Sequence, residues 1–320
     1  MTKYKKYLFT AMVSCCFVIS GCLQTKSNGN LKSGVIFYGS TPADEFVRSV
    51  LKIEDKQQVD FIRWTLLLDT VAGKPRTFTL DIVFGKAQQN TPDFLNGGQT
   101  RAITGSYSLN IEKQKGGAET YHLQSNGLSK DILLRKINDN ILHILTPKQV
   151  LAVGNAGYSY TLNSLNPNGV TITQASLPQS SVSQLNGAKV SSRVFVGRTP
   201  CNDQLLNLNG VPAADCQRIK WELTLLQDPQ SRQPTTFQLK SIYVGTGNVV
   251  YLKTGNWKVG KGIKSNPGAI VYILQPSNAK AKDEISFMQG DENILFLLDK
   301  DKDLLVGNGD QSYTLNLKSN

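Results

Sequence analysis

The chain carries one segment twice. Residues 138–163 read NDNILHILTPKQVLAVGNAGYSYTLN, and residues 291–316 read DENILFLLDKDKDLLVGNGDQSYTLN. Superposed without a gap, 13 of the 26 positions are identical, including Val153-Gly154-Asn155 against Val306-Gly307-Asn308. The ends match in full, Ser159 to Asn163 against Ser312 to Asn316. A self-match at a fixed offset is the mark of a duplicated structural unit, so two copies of one domain are expected before any motif is weighed.

The correspondence extends upstream in the same order. Phe37 and Gly39 face Phe195 and Gly197, and Ile62-Arg63-Trp64 faces Ile219-Lys220-Trp221. Phe78-Thr79-Leu80 faces Phe237-Gln238-Leu239, Tyr107 faces Trp257, and Tyr121 faces Tyr272. Each copy spans roughly 125 residues, a usual size for a domain with its own core. The chain accordingly divides into a leader at 1–21, a tether at 22–34, a first repeat at 35–163 and a second at 194–320. Residues 164–193, rich in Ser, Asn, Gln and Gly, read as an extended linker between the repeats.

The leader has its own logic. Lys3, Lys5 and Lys6 precede an apolar run from Tyr7 to Ile19, and small residues follow. That is the pattern of a secretory signal peptide, too short for a convincing membrane span. Ile19-Ser20-Gly21-Cys22 resembles the lipobox of bacterial lipoproteins. The resemblance implies cleavage before Cys22, acylation of that residue with palmitate-type chains, and attachment to a cell-envelope membrane. Leu23 differs from the Asp that holds some lipoproteins at the inner membrane, which favours the outer one. Several acyl chains on one residue make a stable anchor where a single chain is marginal.

Cleavage takes three lysines from the formal charge of +11 and leaves +8. The remaining basic residues are scattered, with no aromatic–basic stripe, so nucleic acid is not the expected partner. Export also simplifies the cysteines. Cys15 and Cys16 leave with the leader and Cys22 takes lipid, so Cys201 and Cys216 remain as a pair in an oxidising compartment. Their counterparts in the first repeat are Ala43 and Val59, so both thiols are absent together. A disulfide accounts for that joint absence; a redox-active pair or a metal site is the alternative.

Local patterning points to strands. Phe78, Leu80, Ile82 and Phe84 alternate with Thr79, Asp81 and Val83, and Trp221-Leu223-Leu225 alternates likewise. Turn signals such as Asn126-Gly127 and Gly307-Asn308-Gly309 punctuate the runs. Long amphipathic helical periods are missing, although Ala43 to Asp55 and its counterpart have room for a short helix. The expected fold class is all-β: two tandem small antiparallel barrels, closed so that no sheet edge is left exposed.

Gly210-Val211-Pro212-Ala213-Ala214-Asp215-Cys216-Gln217-Arg218-Ile219, followed by the strand Trp221 to Leu225, resembles the signature of the NlpE N-terminal domain. That signature runs Gly-x-x-Pro-Cys-Ala-Asp-Cys-x-Gly-Ile. The later order of a Gly-Trp strand, a Tyr-x-Leu strand and a terminal Tyr-Thr-Leu is similar too. The resemblance implies a lipocalin-like barrel on an envelope lipoprotein of a family associated with surface and copper stress. Two departures qualify it: Ala213 stands where the family has its first Cys, and Arg218 where it has Gly.

Candidate chemical sites are sparse. Past the leader the chain has one methionine, Met288, and two histidines, His122 and His143. Copper(I) sites want several soft ligands and copper(II) sites want imidazoles, so neither set is expected. Asp299, Asp301 and Asp303 have calcium-loop spacing, but lysines interleave them and Leu304 stands where an EF-hand needs Gly. No Gly-x-Ser-x-Gly elbow is present, and His143 and His122 align with Phe296 and Ile273, which reads as packing. The sequence therefore points to a non-catalytic envelope protein that needs no cofactor. Its expected partners are the membrane, an envelope protein or a small apolar ligand; copper binding and envelope hydrolysis are the alternatives. The aromatic positions that recur in both copies are expected to be mostly core.

Overall fold

The computed structural model describes residues 33–71, 74–89, 91–112, 117–164, 191–211, 216–277 and 284–319. Cys22, the leader, most of the tether and residues 165–190 of the linker lie outside them.

Eight strands form the first barrel: β1 (Ser33–Pro42), β2 (Phe61–Val71), β3 (Lys74–Gly85), β4 (Gln99–Glu112), β5 (Ala118–Gln124), β6 (Ile132–Asn138), β7 (Ile141–Ile144) and β8 (Thr161–Ser164). Each pairs antiparallel with the next in sequence, and β8 returns to β1 to close the ring. The second barrel repeats that plan with β9 (Ser191–Thr199), β10 (Arg218–Gln227), β11 (Pro234–Val244), β12 (Val250–Ile263), β13 (Asn266–Pro276), β14 (Ile285–Gln289), β15 (Ile294–Leu297) and β16 (Thr314–Leu317). One short helix follows the first strand of each barrel, α1 (Glu45–Val50) and α2 (Asp203–Asn207). The all-β expectation and the pair of closed barrels are thus what the chain forms, in keeping with a tandem arrangement.

Alternation decides which face of each strand is buried. Along β10, Ile219, Trp221, Leu223 and Leu225 point inward while Lys220, Glu222 and Thr224 point out. Both interiors are filled by such residues, around Trp64, Leu80 and Leu134 in one barrel and Trp221, Phe237 and Leu274 in the other. Trp64 and Trp221 are 2% and 4% exposed, and each indole N–H donates to a threonine hydroxyl, Thr41 and Thr199, at 2.9 Å. Tyr107, Trp257 and Tyr272 are buried too, so the recurrent aromatics are largely core. Gly39 and Gly197 mark the closure. A Cβ at either would lie 2.6 Å from a carbonyl oxygen of the last strand, Thr161 and Thr314 respectively.

The barrels also share a core. A third apolar cluster joins Ile137, Ile141, Leu145 and Leu151 of the first barrel to Met288, Ile294 and Phe296 of the second, with further residues of both. Beside it runs a polar seam of matched residues. Ser159 meets Ser312 at 2.6 Å and Thr161 meets Thr314 at 3.0 Å, hydroxyl to hydroxyl. The Gly154 N–H donates to Asn316 Oδ1 at 2.8 Å, and reciprocally the Gly307 N–H donates to Asn163 Oδ1 at 2.9 Å. Like meeting like, with reciprocal cross-contacts, is the signature of an isologous two-fold interface, here within one chain. The strongest stretch of the internal repeat, Val-Gly-Asn to Ser-Tyr-Thr-Leu-Asn, is therefore the seam itself. The described residues of both barrels belong to one compact unit.

Candidate functional site

The helix that caps each barrel is where the two copies part. In the first barrel a cavity of about 320 Å³ lies beside α1, at the mouth of the barrel. Phe46, Val47 and Val50 of the helix line it together with the inward-facing Trp64, Ile132 and Ile144. His122, Lys130, Asp131 and Thr146 give it a polar rim. An apolar chamber with a few convergent polar groups, at the mouth of a β-barrel, is where small ligands bind. Its volume sits at the low end of the range for such sites, roughly 300–1,000 Å³.

The fastening of α1 explains the opening. One side is secured to the β5–β6 connection: the Ser129 N–H donates to Val50 O at 3.0 Å, Ser129 Oγ to Ser49 O at 2.7 Å and Lys52 Nζ to Asn126 O at 2.8 Å. Among the described residues no hydrogen bond ties the other side to the Thr146–Pro147 turn. Phe46 instead lays its ring against Tyr160, centroids 5.3 Å apart. Asp44, at the helix N-cap, makes no side-chain cap, and burial pushes its carboxyl above the usual range. The Tyr160 hydroxyl is buried without a hydrogen-bond partner.

In the second barrel every one of these positions is closed. Gln204 replaces Phe46; its Nε2 donates to Leu298 O at 3.4 Å and its Oε1 accepts from the Lys300 N–H at 3.2 Å. Asn202 replaces Asp44, capping α2 through the Leu205 N–H at 2.8 Å and donating to the Tyr313 hydroxyl at 3.1 Å. The Tyr243 hydroxyl donates to Leu205 O at 2.7 Å. Cys201 and Cys216 are joined in a disulfide with Cα atoms 6.1 Å apart, which staples the loop carrying α2 to the start of β10. The expected pairing is present.

The other candidates resolve into structure. His143 is fully buried at the seam, Nδ1 3.0 Å from Thr161 Oγ1 and Nε2 2.9 Å from Ala152 O, with its ring edge-on to Phe296. Desolvation lowers its pKa to about 4. It packs, as the alignment with Phe296 implies. His122 does not share that fate: it is half-buried on the outer face of β5, Nε2 3.2 Å from Asn110 Nδ2, at the cavity rim. Its counterpart Ile273 is buried in the shared cluster, so position for position the two barrels present different outer faces. The Asp299–Asp303 run is a tight turn whose Asp299 Oδ1 accepts the N–H groups of Asp301 and Asp303 at 2.8 Å each. Among the described residues no group of three or more His, Cys, Asp or Glu is placed to hold a metal ion.

The cavity was not visible in the sequence. It depends on what Phe46 does not do, and the available signal was a substitution between copies, Phe46 against Gln204, at a position that otherwise matches in helix and flank.

Fold and caps define a double-barrel protein of lipocalin-like type whose second cap is held by a disulfide and the Gln204 bridge and whose first is held to the β5–β6 connection on the side away from the cavity. Residues 209–308 match the family described as the NlpE N-terminal domain. The match covers the second barrel from just before β10 to the turn that precedes β16, and the resemblance read from Gly210 to Leu225 lies within it. The second barrel is thus similar to the NlpE N-terminal domain over most of its length. No curated protein and no solved structure matches the chain.

Proposed function

We propose that this is a lipid-anchored, non-catalytic binding protein of the cell envelope whose first barrel takes up a small apolar molecule beside α1. The observation that carries the reading is the apolar cavity at the first barrel's mouth, set against its bolted counterpart in the second. The same helix is capped, hydrogen-bonded and covalently stapled where there is no need for access, and free on the cavity side where there is. Lys130 and His122 at the rim suit a ligand with one polar end. The anchor rests on the lipobox-like Ile19 to Cys22 and, with Leu23 next, favours the outer membrane.

Two measurements test this. Titrating the full chain with N-phenylnaphthylamine should show saturable fluorescence enhancement, lost when Val50→Trp fills the cavity and kept when Leu208→Trp alters the matching position, the C-cap of α2. Uptake that ignores Val50→Trp would remove the cavity from the proposal. For the anchor, Cys22→Ser should give soluble or unprocessed protein on fractionation; a processed, membrane-bound variant would remove it.

A further inference from the structure

The seam has two flanks related by its two-fold, and they are chemically unequal. On one flank, Ser40 and Arg63 are cross-strand partners on β1 and β2, facing the loop before β16. Ser40 Oγ donates to Gly309 O at 2.9 Å, and the Arg63 guanidinium donates to Asp310 Oδ1 at 2.9 Å. This flank is complete: a cation on the strand meets a carboxylate on the loop.

On the other flank the equivalent cross-strand pair is Arg198 and Lys220 on β9 and β10. Arg218, two residues before Lys220, shares its outward face and replaces Phe61. The loop opposite belongs to the first barrel, and it carries Gly157 where Asp310 stands and Tyr158 where Gln311 stands. A Cβ on Gly157 would lie 3.9 Å from both Cζ and Nη1 of Arg198. Positive charge has thus been concentrated where the duplication places the loop's carboxylate, and the carboxylate is gone. Among the described residues, neither Arg198 nor Arg218 has an ion-pair partner, and the Nε of each is buried without a hydrogen-bond acceptor. Both side chains are partly exposed, so the flank is open to solvent. The Tyr158 hydroxyl lies within electrostatic reach of both guanidiniums, and of Arg63 and Asp310 on the other flank as well.

We propose that this flank is an anion site, in which Arg198 and Arg218 bind a phosphate group in the position that the Asp310 carboxylate fills on the opposite flank. Guanidinium forks match the geometry of phosphate oxygens and bind them in bidentate fashion. Two partly exposed guanidiniums without an ion-pair partner give a tetrahedral oxyanion its donors, and the Tyr158 hydroxyl adds a neutral donor. The ligand class is a phosphate, either free or carried on a lipid headgroup.

The duplication supplies the decisive variant. Gly157→Asp restores the carboxylate of the complete flank; the added Cβ would lie 3.1 Å from Asn155 Oδ1, the neighbour whose counterpart Asn308 accepts the Asp310 N–H on that flank. Calorimetric titration of the full chain at constant ionic strength, with inorganic phosphate and separately with water-soluble dihexanoyl phosphatidic acid, should give saturable binding of one equivalent of at least one of them. Affinity should fall at least tenfold in Gly157→Asp and in Arg198→Gln/Arg218→Gln, and stay within twofold in Arg63→Gln on the opposite flank. Equal affinity for the two probes marks free phosphate as the ligand, and a tenfold preference for phosphatidic acid marks the headgroup. No saturable binding of either probe, or binding that survives both Gly157→Asp and the double arginine variant, overturns the proposal. The double variant keeps the test valid if Gly157→Asp fails to fold.

Discussion

Two barrels of the same strand order, made from one repeated sequence, are capped by the same helix in opposite ways. In the second barrel α2 is held by a disulfide, by an Asn N-cap and by the Gln204 bridge to the turn after β15. In the first, α1 has Ala43 and Val59 in place of the cysteines, an Asp that does not cap and a Phe that does not bridge. Both interiors are filled by buried apolar side chains, so the difference lies at the mouths. It shows that a duplicated fold can keep its scaffold constant and move function into the few bonds that decide whether a lid is fixed. Local stability is set by such bonds, and binding elements are drawn from its lower end.

The largest expected effect comes from making the second cap resemble the first. Cys201→Ala with Cys216→Val installs the residues of the first barrel and removes a bridge spanning 15 residues. Loss of loop-closure restraint should cost about 3 kcal/mol by the chain-entropy account. Cys201 and Cys216 pack against the second core as Ala43 and Val59 do against the first, so small apolar replacements keep that contact and the loss should appear in chemical denaturation without a change of fold. If N-phenylnaphthylamine uptake then rises toward two equivalents per chain, the disulfide is what closes the second barrel. If stability falls but uptake does not, Gln204 and Asn202 close it unaided.

A somewhat smaller effect concerns the seam, where the copies differ by His143 against Phe296. His143 is held neutral by burial, its pKa lowered from 6.5 to about 4. Protons therefore bind the unfolded chain before the folded one as pH falls. Stability is fully present above about pH 6.5, declines between there and pH 4, and levels off below. The loss at pH 4 should be about 2–3 kcal/mol. His143→Phe, which copies the other barrel, should flatten that part of the profile in urea titrations at pH 7, 5.5 and 4. A profile of equal slope in the variant would mean that carboxylates, not His143, govern acid sensitivity.

Much of this fold was readable before any coordinates. Period-two runs such as Phe78 to Phe84 became strands, the paired cysteines became a bridge, and the repeat became two barrels. The seam was not read, for a physical reason. Ser159, Thr161 and Asn163 are polar and lie at alternate positions, so within one barrel they look like the solvated face of a strand. They are buried because the second copy offers Ser312, Thr314 and Asn316 to them. The clue was available: polar residues retained in both copies on the same face of a strand need a common partner, and in a duplicated chain the partner is the other copy. The cavity was less legible still, since no residue of it is unusual and only the missing bonds of Phe46 and Asp44 create it.

The smallest predicted effect tests those missing bonds one at a time. Asp44 and Asn202 occupy the same N-cap, both with extended backbone, φ −74° and −145°. Asn202 satisfies the Leu205 N–H and gives the Tyr313 hydroxyl a partner; Asp44 does neither, and Tyr160 is left with a buried, unpaired hydroxyl. Asp44→Asn supplies a neutral side chain that can accept from the helix and donate to Tyr160, as its counterpart does. A cap of this kind contributes about 1 kcal/mol, and relief of a buried unpaired hydroxyl acts in the same direction. The variant should therefore gain about 1 kcal/mol in urea denaturation, while Asn202→Ala loses a similar amount and Asp44→Ala changes little. Dye uptake decides what the weak cap is for. If Asp44→Asn stabilises the protein and slows N-phenylnaphthylamine entry, the first barrel keeps its helix loosely capped as a condition of access. If entry is unchanged, α1 does not move during binding, and the opening lies between Phe46 and the Thr146–Pro147 turn instead.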